Sequence, residues 1–308
     1  MAKPSHLRIG SRGSQLALWQ ANHIADKLRG RGHEVSIEII RTSGDMMQSI
    51  AFAQVGTKAM FTKEIEEALA DERVDLAVHS LKDLPTTLAE RFTLAAIPER
   101  VDPRDVFVSV KHENFAALPA GARVGTSSLR RQSQLKAQRR DLEFVEFRGN
   151  VDTRLRKLAE ERVEAIILAA AGLERLGRME HVRERFPALI LCPAAGQGAL
   201  AIETRADDAE TIEASSFLEH VATRFAVTAE RAALAAMGGG CQVPIGINCE
   251  FANSRWRIAG VVATPDGSGM VREQLERGAE IAPQALGEEL ARRLVEQGAD
   301  ELLRAALR

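Results

Sequence analysis

The chain has 308 residues, 45% of them apolar and 27% charged, with a formal net charge of −2 at neutral pH. That length supports two or three domains with substantial cores, and the near-balanced charge argues against a general nucleic-acid or membrane-surface binder, so any cationic site must be a local cluster. Three cysteines, Cys192, Cys241 and Cys249, form no C-x-x-C pair and cannot all pair within the chain, which fits a reducing compartment.

Residues 1–20 carry Lys3, Arg8 and Arg12 but no apolar core of signal-peptide length, and no run of 18 apolar residues occurs anywhere; a soluble cytoplasmic protein is expected. Residues 7–10 read as a short strand, followed by a polar turn with Arg12 and then a helix over 15–29. Its residues Leu16, Trp19, His23, Ile24 and Leu28 recur at helical spacing, with Ser14 placed as the cap. Residues 35–41 alternate like a strand. From 46 to 60 the periodicity fails around Gly56, Thr57, Lys58 and Ala59, which suggests a lid before a helix near 63–72. Residues 74–79 form an apolar strand interrupted by Asp75, and Pro85 biases Leu84 away from helical geometry, so Asp83 is expected on a loop at a strand end.

Strands over 93–98 and 106–110 flank a charged segment, 99–105, that could serve as a hinge. Strand 123–125 leads to a helix from about 126, strand 143–147 to a helix from 151, and strand 165–169 to a short helix containing Arg175. This alternation predicts parallel α/β layers. Residues 193–198 turn into a strand over 199–204. The rhythm then changes to a helix over 217–237, a glycine-rich loop, strands over 246–251, 256–263 and 270–276, and a closing helix over 283–307. That is an α+β unit with an antiparallel meander, and Pro265, Gly267 and Gly269 mark a hairpin turn.

Two patterns carry chemistry. Arginines recur where strands end: Arg12 after the first strand, Arg130 and Arg131 after strand 123–125, Arg148 after strand 143–147 with Arg154 a turn into the next helix, and Arg175 after strand 165–169. In open sheets, ligands settle beyond the carboxyl ends of strands, and a guanidinium grips a carboxylate or phosphate through paired hydrogen bonds. Taken singly, each arginine could equally be solvated surface. No G-x-x-x-x-G-K-[ST] loop or G-x-G-x-x-G turn supports nucleotide binding. The second pattern is Gly238-Gly239-Gly240-Cys241-Gln242-Val243-Pro244-Ile245-Gly246, in which glycines free the backbone and Pro244 stiffens the exit, so that Cys241 is presented rather than simply packed. Neither Arg231 nor His220 is obviously placed to activate a nucleophilic thiol, whereas a covalent anchor needs no such partner.

The cysteine loop resembles the cofactor-attachment loop of the porphobilinogen deaminase (hydroxymethylbilane synthase) family. Residues 11–20, 78–85, 125–132, 147–151, 171–177, 195–199 and 227–231 match that family's segments as well. The resemblance implies two periplasmic-binding-protein-like α/β domains around a cleft, plus a smaller C-terminal α+β domain with an antiparallel three-stranded sheet. The parts would be residues 1–99 with 200–216, 100–199, and 217–308.

It also implies a cytoplasmic, monomeric transferase of haem and tetrapyrrole biosynthesis that condenses four molecules of porphobilinogen onto a dipyrromethane held by Cys241 as a thioether, with no metal or nucleotide. By the same resemblance Asp83 is the catalytic carboxylate. Arg12, Ser14, Lys82, Asp83, Thr126, Ser128, Arg130, Arg131, Arg148 and Gly149 would hold the cofactor; Arg12, Gln20, Arg148, Arg154, Arg175 and Gln197 the substrate; and Lys58 would belong to the lid. The chain departs from the family pattern at Thr57, Ala59 and Gly238. Two other classes share some of these features: a bilobal carboxylate receptor, opposed by the third unit and the cysteine loop, and a cysteine hydrolase, opposed by the absence of a histidine partner motif.

Overall fold

Strand β1 (His6–Ser11) buries Leu7 and Ile9 and turns through Arg12 into helix α1 (Gln15–Arg29). The Ser14 hydroxyl accepts the Ala17 backbone N–H at 3.3 Å, and Lys27 and Arg29 occupy the last turn, where they complement the helix dipole. The structure is a computed structural model that describes residues 6–42, 62–160, 162–239 and 243–306. The segment 46–60 with Lys58, and Cys241, lie outside the described residues. By internal contact the chain divides into two units, Met1–Arg100 with Ala199–Arg224, and Val101–Gly198 with Phe225–Arg308.

In the first unit β1 is flanked by β2 (Glu34–Ile39) on one side and β3 (Leu76–Ser80) on the other, both parallel to it. Strand β10 (Leu200–Arg205) then separates β3 from β4 (Phe92–Ala96), giving the order β2-β1-β3-β10-β4. One face of this sheet, with Leu7, Ile9, Leu76, Val78, Leu200 and Ile202, packs on Ala21, Ile24, Ala25 and Leu28 of α1. On the other face, Ala77 packs with Ile65, Ala68 and Leu69 of helix α2 (Lys63–Ala70).

The second unit repeats the plan. Strand β6 (Arg123–Gly125) leads to α3 (Leu129–Gln138) and β7 (Glu143–Val145). Helix α4 (Val151–Ala159) returns the chain to β8 (Ala165–Ala169), which continues into α5 (Ala170–Arg175). With β5 (Asp105–Val108) and β9 (Val182–Arg185) the order is β7-β6-β8-β5-β9. In each sheet the chain runs to opposite sides of its first parallel strand, and a ligand crevice forms at the carboxyl end of such a switch point.

Both sheets are mixed, which corrects the expectation of parallel layers. Strand β10 is antiparallel to β3 and β4, and β5 is antiparallel to β8 and β9. These two strands follow crossings of the chain from one unit to the other at residues 100–101 and 198–199, so no local crossover helix fixes their direction. Helix α3 begins at Leu129 instead of 126, because Ser128 supplies the cap through its hydroxyl to the Arg131 N–H. Asp83 sits in a single 3-10 turn, Leu81–Asp83, directly after β3. The helix expected over 217–237 is a short 3-10 turn, Ser216–Leu218, followed by α7 (Val221–Ala236). Helix α6 (Ala209–Ser215) and strand β9 have no counterpart in the sequence reading.

The remainder of the second unit is the expected meander β11 (Ile245–Ala252), β12 (Arg255–Ala263), β13 (Met270–Arg277), covered by α8 (Pro283–Glu296) and α9 (Ala299–Ala306). The single closing helix is interrupted at Gly298, whose φ of 94° lies in the left-handed region. Leu286, Leu290 and Leu294 of α8 meet Ile247, Ile258 and Val262 of the sheet and Ala229 and Ala233 of α7. Close approach depends on Gly287, where a Cβ would lie 2.2 Å from the Ala229 carbonyl oxygen. Exchanging Gly287→Ala forces the two helices apart and should destabilise the protein by about 1 to 3 kcal/mol; thermal unfolding followed by circular dichroism reads this directly.

Candidate active site

In the first unit, a pocket opens at the carboxyl ends of β1 and β3. It is lined by Arg12, Ser14, Leu16, Ala17 and Gln20 from the first turn and α1, Thr62 and Ile65 at α2, and Val78, His79, Ser80 and Asp83 from β3 and its turn. Four residues singled out from the sequence, Arg12, Ser14, Gln20 and Asp83, thus share one wall system, although Gln20 and Asp83 lie 63 positions apart in the chain. The two sides are tied together where the buried Gln20 donates from Nε2 to the Ser80 hydroxyl at 2.8 Å. Asp83 is exposed, which leaves its carboxylate available to a ligand. Lys82 lies beside it in the same turn.

The second unit concentrates cations. Asp105, fully buried at the start of β5, receives Arg130 Nη1 at 2.7 Å, Arg131 Nε at 2.9 Å and Gln197 Nε2 at 3.0 Å. Burial works to raise its pKa, yet the charges of Arg130 and Arg131 outweigh burial and hold the carboxyl at about 2. Arg130 also donates to the Cys192 carbonyl at 2.6 Å and Arg131 to the Ile167 carbonyl at 3.1 Å. Arg175, likewise buried, donates to the Gly198 carbonyl at 2.7 Å, and burial pulls its guanidinium down to about 10. Arg154 is half-buried on α4. Its Nε has no hydrogen-bond partner, and burial together with the like charge of Arg131 lowers it to about 10. Arg130 and Arg131 share Asp105, and Arg154 lies close enough to Arg131 to feel its charge, so three cations meet one carboxylate. An uncompensated buried charge is costly, so an anion bound there would relieve the cluster.

The backbone around these arginines is also arranged for anions. Thr126, Ser127 and Ser128 form the turn between β6 and α3, and the Thr126 hydroxyl accepts the Ser128 N–H at 3.2 Å. Ser127 accepts the Phe147 N–H at 3.1 Å, which ties this turn to the one after β7. There Gly149, at φ 123°, precedes the Asn150 cap of α4; a Cβ at Gly149 would lie 2.8 Å from that of Thr153, so only glycine fits. Arg148 pairs with Glu146 at 2.7 Å, an exposed partner that a ligand carboxylate can replace. Helix N-termini with hydroxyls and arginines in one turn favour bound anions.

Asp105, which sequence reasoning passed over, had a legible signal: a lone carboxylate opening the apolar run Val106-Phe107-Val108. Glu230 was missed too. This fully buried residue of α7 accepts the N–H of Gly196 and of Cys249, both at 2.7 Å, and so fixes the turn that carries Gln197 against β11. The other two cysteines are packed: Cys192 is fully buried, its thiol pushed up to about 12 by burial, and Cys249 is 2% exposed, so neither is an accessible nucleophile.

Residues 7–213 match the family model described as porphobilinogen deaminase, dipyromethane cofactor binding domain, and residues 224–296 match porphobilinogen deaminase, C-terminal domain. Among curated relatives, the porphobilinogen deaminase of Desulforudis audaxviator is 51% identical over 297 residues, covering 96% of each chain. That of Pelobacter propionicus is 49% identical over 302 residues, covering 97% of each, and that of Nitratidesulfovibrio vulgaris is 50% identical over 303 residues, covering 96% of each. Among solved structures, the methionine binding protein MetQ aligns with a TM-score of 0.46 at 12% identity, over 69% of this chain and 89% of that one.

The charge imbalance separates two kinds of arginine. Asp105→Asn strands two buried guanidinium groups and should destabilise the protein by about 3 to 5 kcal/mol. A carboxyl depressed from 3.8 to about 2 contributes stability above the unfolded pKa that is lost as pH falls through the folded value, so the acid-unfolding component between about pH 4 and 2 should disappear in that variant. Arg154→Met, by contrast, removes an uncompensated cation; in a Cys241→Ala background, stability should stay the same or rise. Urea denaturation of both variants across pH measures the difference.

Proposed function

The chain belongs to the porphobilinogen deaminase family, and from that premise we infer that it is a transferase of tetrapyrrole biosynthesis. It joins four porphobilinogen molecules head to tail, with loss of ammonia, and releases hydroxymethylbilane by hydrolysis. The observation that carries this reading is the local excess of guanidinium over carboxylate where Arg130, Arg131 and Arg154 meet Asp105, since dipyrromethane and porphobilinogen both bring acetate and propionate side chains to neutralise it. The residues present therefore fit a polycarboxylate cofactor.

On this reading Cys241 anchors dipyrromethane as a thioether, and Arg131, Arg148, Arg154 and Arg175 hold its carboxylates and those of the growing chain. Arg130 serves through Asp105. Thr126, Ser128 and Gly149 offer hydroxyls and backbone N–H groups, and Gln197 steadies Asp105. When bound, dipyrromethane supplies the free pyrrole α-carbon to which the first porphobilinogen is joined. In the first unit Arg12 grips a substrate carboxylate, with Ser14, Gln20 and Lys82 beside it. Asp83 has three tasks at one position: its carboxyl assists departure of the amine, its anion stabilises the azafulvene cation left on the substrate, and its carboxylate takes the α-proton released as the rings join. We place the functional boundaries at 1–99 with 200–216, 100–199 and 217–308, and read the protein as a cytoplasmic monomer. Among the described residues no helix is long and apolar enough to cross a membrane.

Intact mass of the denatured protein should exceed the sequence mass by two pyrrole units, and peptide mapping should put the excess on Cys241. An unmodified chain that binds carboxylates without turnover would instead be a receptor. Asp83→Asn keeps size and much of the hydrogen bonding but loses charge and proton; in protein whose dipyrromethane is confirmed by mass, kcat should fall by at least about 10²- to 10⁴-fold. Turnover within a few-fold of wild type would reduce Asp83 to a turn residue.

A further inference from the structure

Among the described residues three carboxylates are fully buried, and two of them are richly solvated by the protein. Asp105 receives two arginines and a glutamine, and Glu230 two backbone N–H groups. Glu203 differs. Neither of its oxygens makes a hydrogen bond of acceptable geometry, and the cation-forming group beside it is the His79 ring, with Nε2 2.9 Å from Oε2.

The sheet forces this meeting. Strands β3 and β10 pair with His79 opposite Ala201 and Ala77 opposite Glu203, which places His79 and Glu203 diagonally on one face. That face is covered by α2, whose Glu66 is raised by burial and by the negative charge of Glu203, while His79 and the exposed Arg91 act in the opposite sense. The pairing of β10 with β4 shifts register between Ile202 and Glu203, so the ladder is broken beside the carboxylate. Replacing a buried ion pair by apolar side chains is commonly neutral or stabilising. A Glu203–His79 pair between Ala77 and Ala201 is therefore poorly explained as a stability device.

His79 lines the same pocket as Arg12 and Asp83, whereas Glu203 stands behind it. With Nε2 turned to the Glu203 carboxylate, Nδ1 is the ring nitrogen left to meet a ligand. The pocket thus combines one cation, Arg12, with an acceptor backed by two carboxylates, Glu203 and Glu66. Porphobilinogen is a zwitterion with the matching pattern: carboxylates for the arginine and an aminomethyl ammonium for the acceptor. We propose that His79, held in place by the positioning residue Glu203, receives the aminomethyl ammonium of incoming porphobilinogen and orients it beside Asp83 for departure. This rests on the reading that the pocket is the site of condensation.

The test compares porphobilinogen with the analogue carrying a hydroxymethyl group in place of the aminomethyl group. A charge-assisted hydrogen bond corresponds to about 10- to 100-fold in binding. In Glu203→Gln protein of confirmed cofactor mass, kcat/KM for porphobilinogen should fall by at least about 10-fold, while the inhibition constant of the analogue stays within about 2-fold. Glu66→Gln, on the half-exposed helix, should move the same ratio in the same direction by a smaller factor and serves if Glu203→Gln does not fold. Equal losses for both ligands, or no change in either, would overturn the inference. The Asp83→Asn enzyme separates this failure from that of the site itself: an inactive Asp83→Asn with an unchanged ligand ratio in Glu203→Gln sinks the role of His79 alone, and an active Asp83→Asn sinks the pocket as reaction site.

Discussion

A single carboxylate organises the second unit. Asp105 at the start of β5 neutralises only part of the charge that Arg130 and Arg131 bring to it, and Arg154 adds more. Had each arginine been given its own acid, the unit would be content without a ligand. The imbalance leaves the Arg154 Nε with no acceptor among the described residues, in a medium where water competes poorly for it. The local positive charge is thus a property of what the fold withholds as much as of what it places.

The first unit works by a different balance. Its pocket is lined by opposite charges, Arg12 and Asp83, with buried ionisable groups behind them on β3, β10 and α2. Such a pocket suits a group whose charge changes during reaction, because a carboxylate and an imidazole can rearrange protons that a guanidinium cannot. The two sites differ in side-chain chemistry: the arginines of the second unit keep a fixed charge, while an acid and a histidine in the first can exchange protons.

Much of this was legible from the sequence, for identifiable reasons. The strands and helices around Arg12, Arg148 and Arg175 were found because apolar periodicity and caps such as Ser14 are local signals. Asp83 at a strand end followed from Pro85. The mixed direction of the sheets was invisible, because β5 and β10 are apolar runs whose neighbours are chosen by long-range pairing. Strand β9, with Val182 half-buried and Arg183 and Arg185 exposed, carries too little apolar signal to be read as a strand at an edge. His79 and Glu203 looked like ordinary interruptions of apolar strands; only the diagonal register of β3 and β10 makes them partners.

The placement of β10 bears on how the chain reaches its native state. The first unit's sheet holds β3 and β4 apart with a strand that leaves the ribosome roughly a hundred residues after β4, once β5 to β9 have been made. Until then β3 and β4 each present an unsatisfied edge, and the nascent N-terminal segment can neither complete its ladder nor pack Val78 beside Leu200 and Ile202. Synthesis order and folding order are therefore out of step. The second unit's sheet, encoded without interruption between residues 105 and 185, is free to form first, and a polypeptide that stalls before residue 205 exposes a sticky, half-built sheet of the kind that chaperones retain.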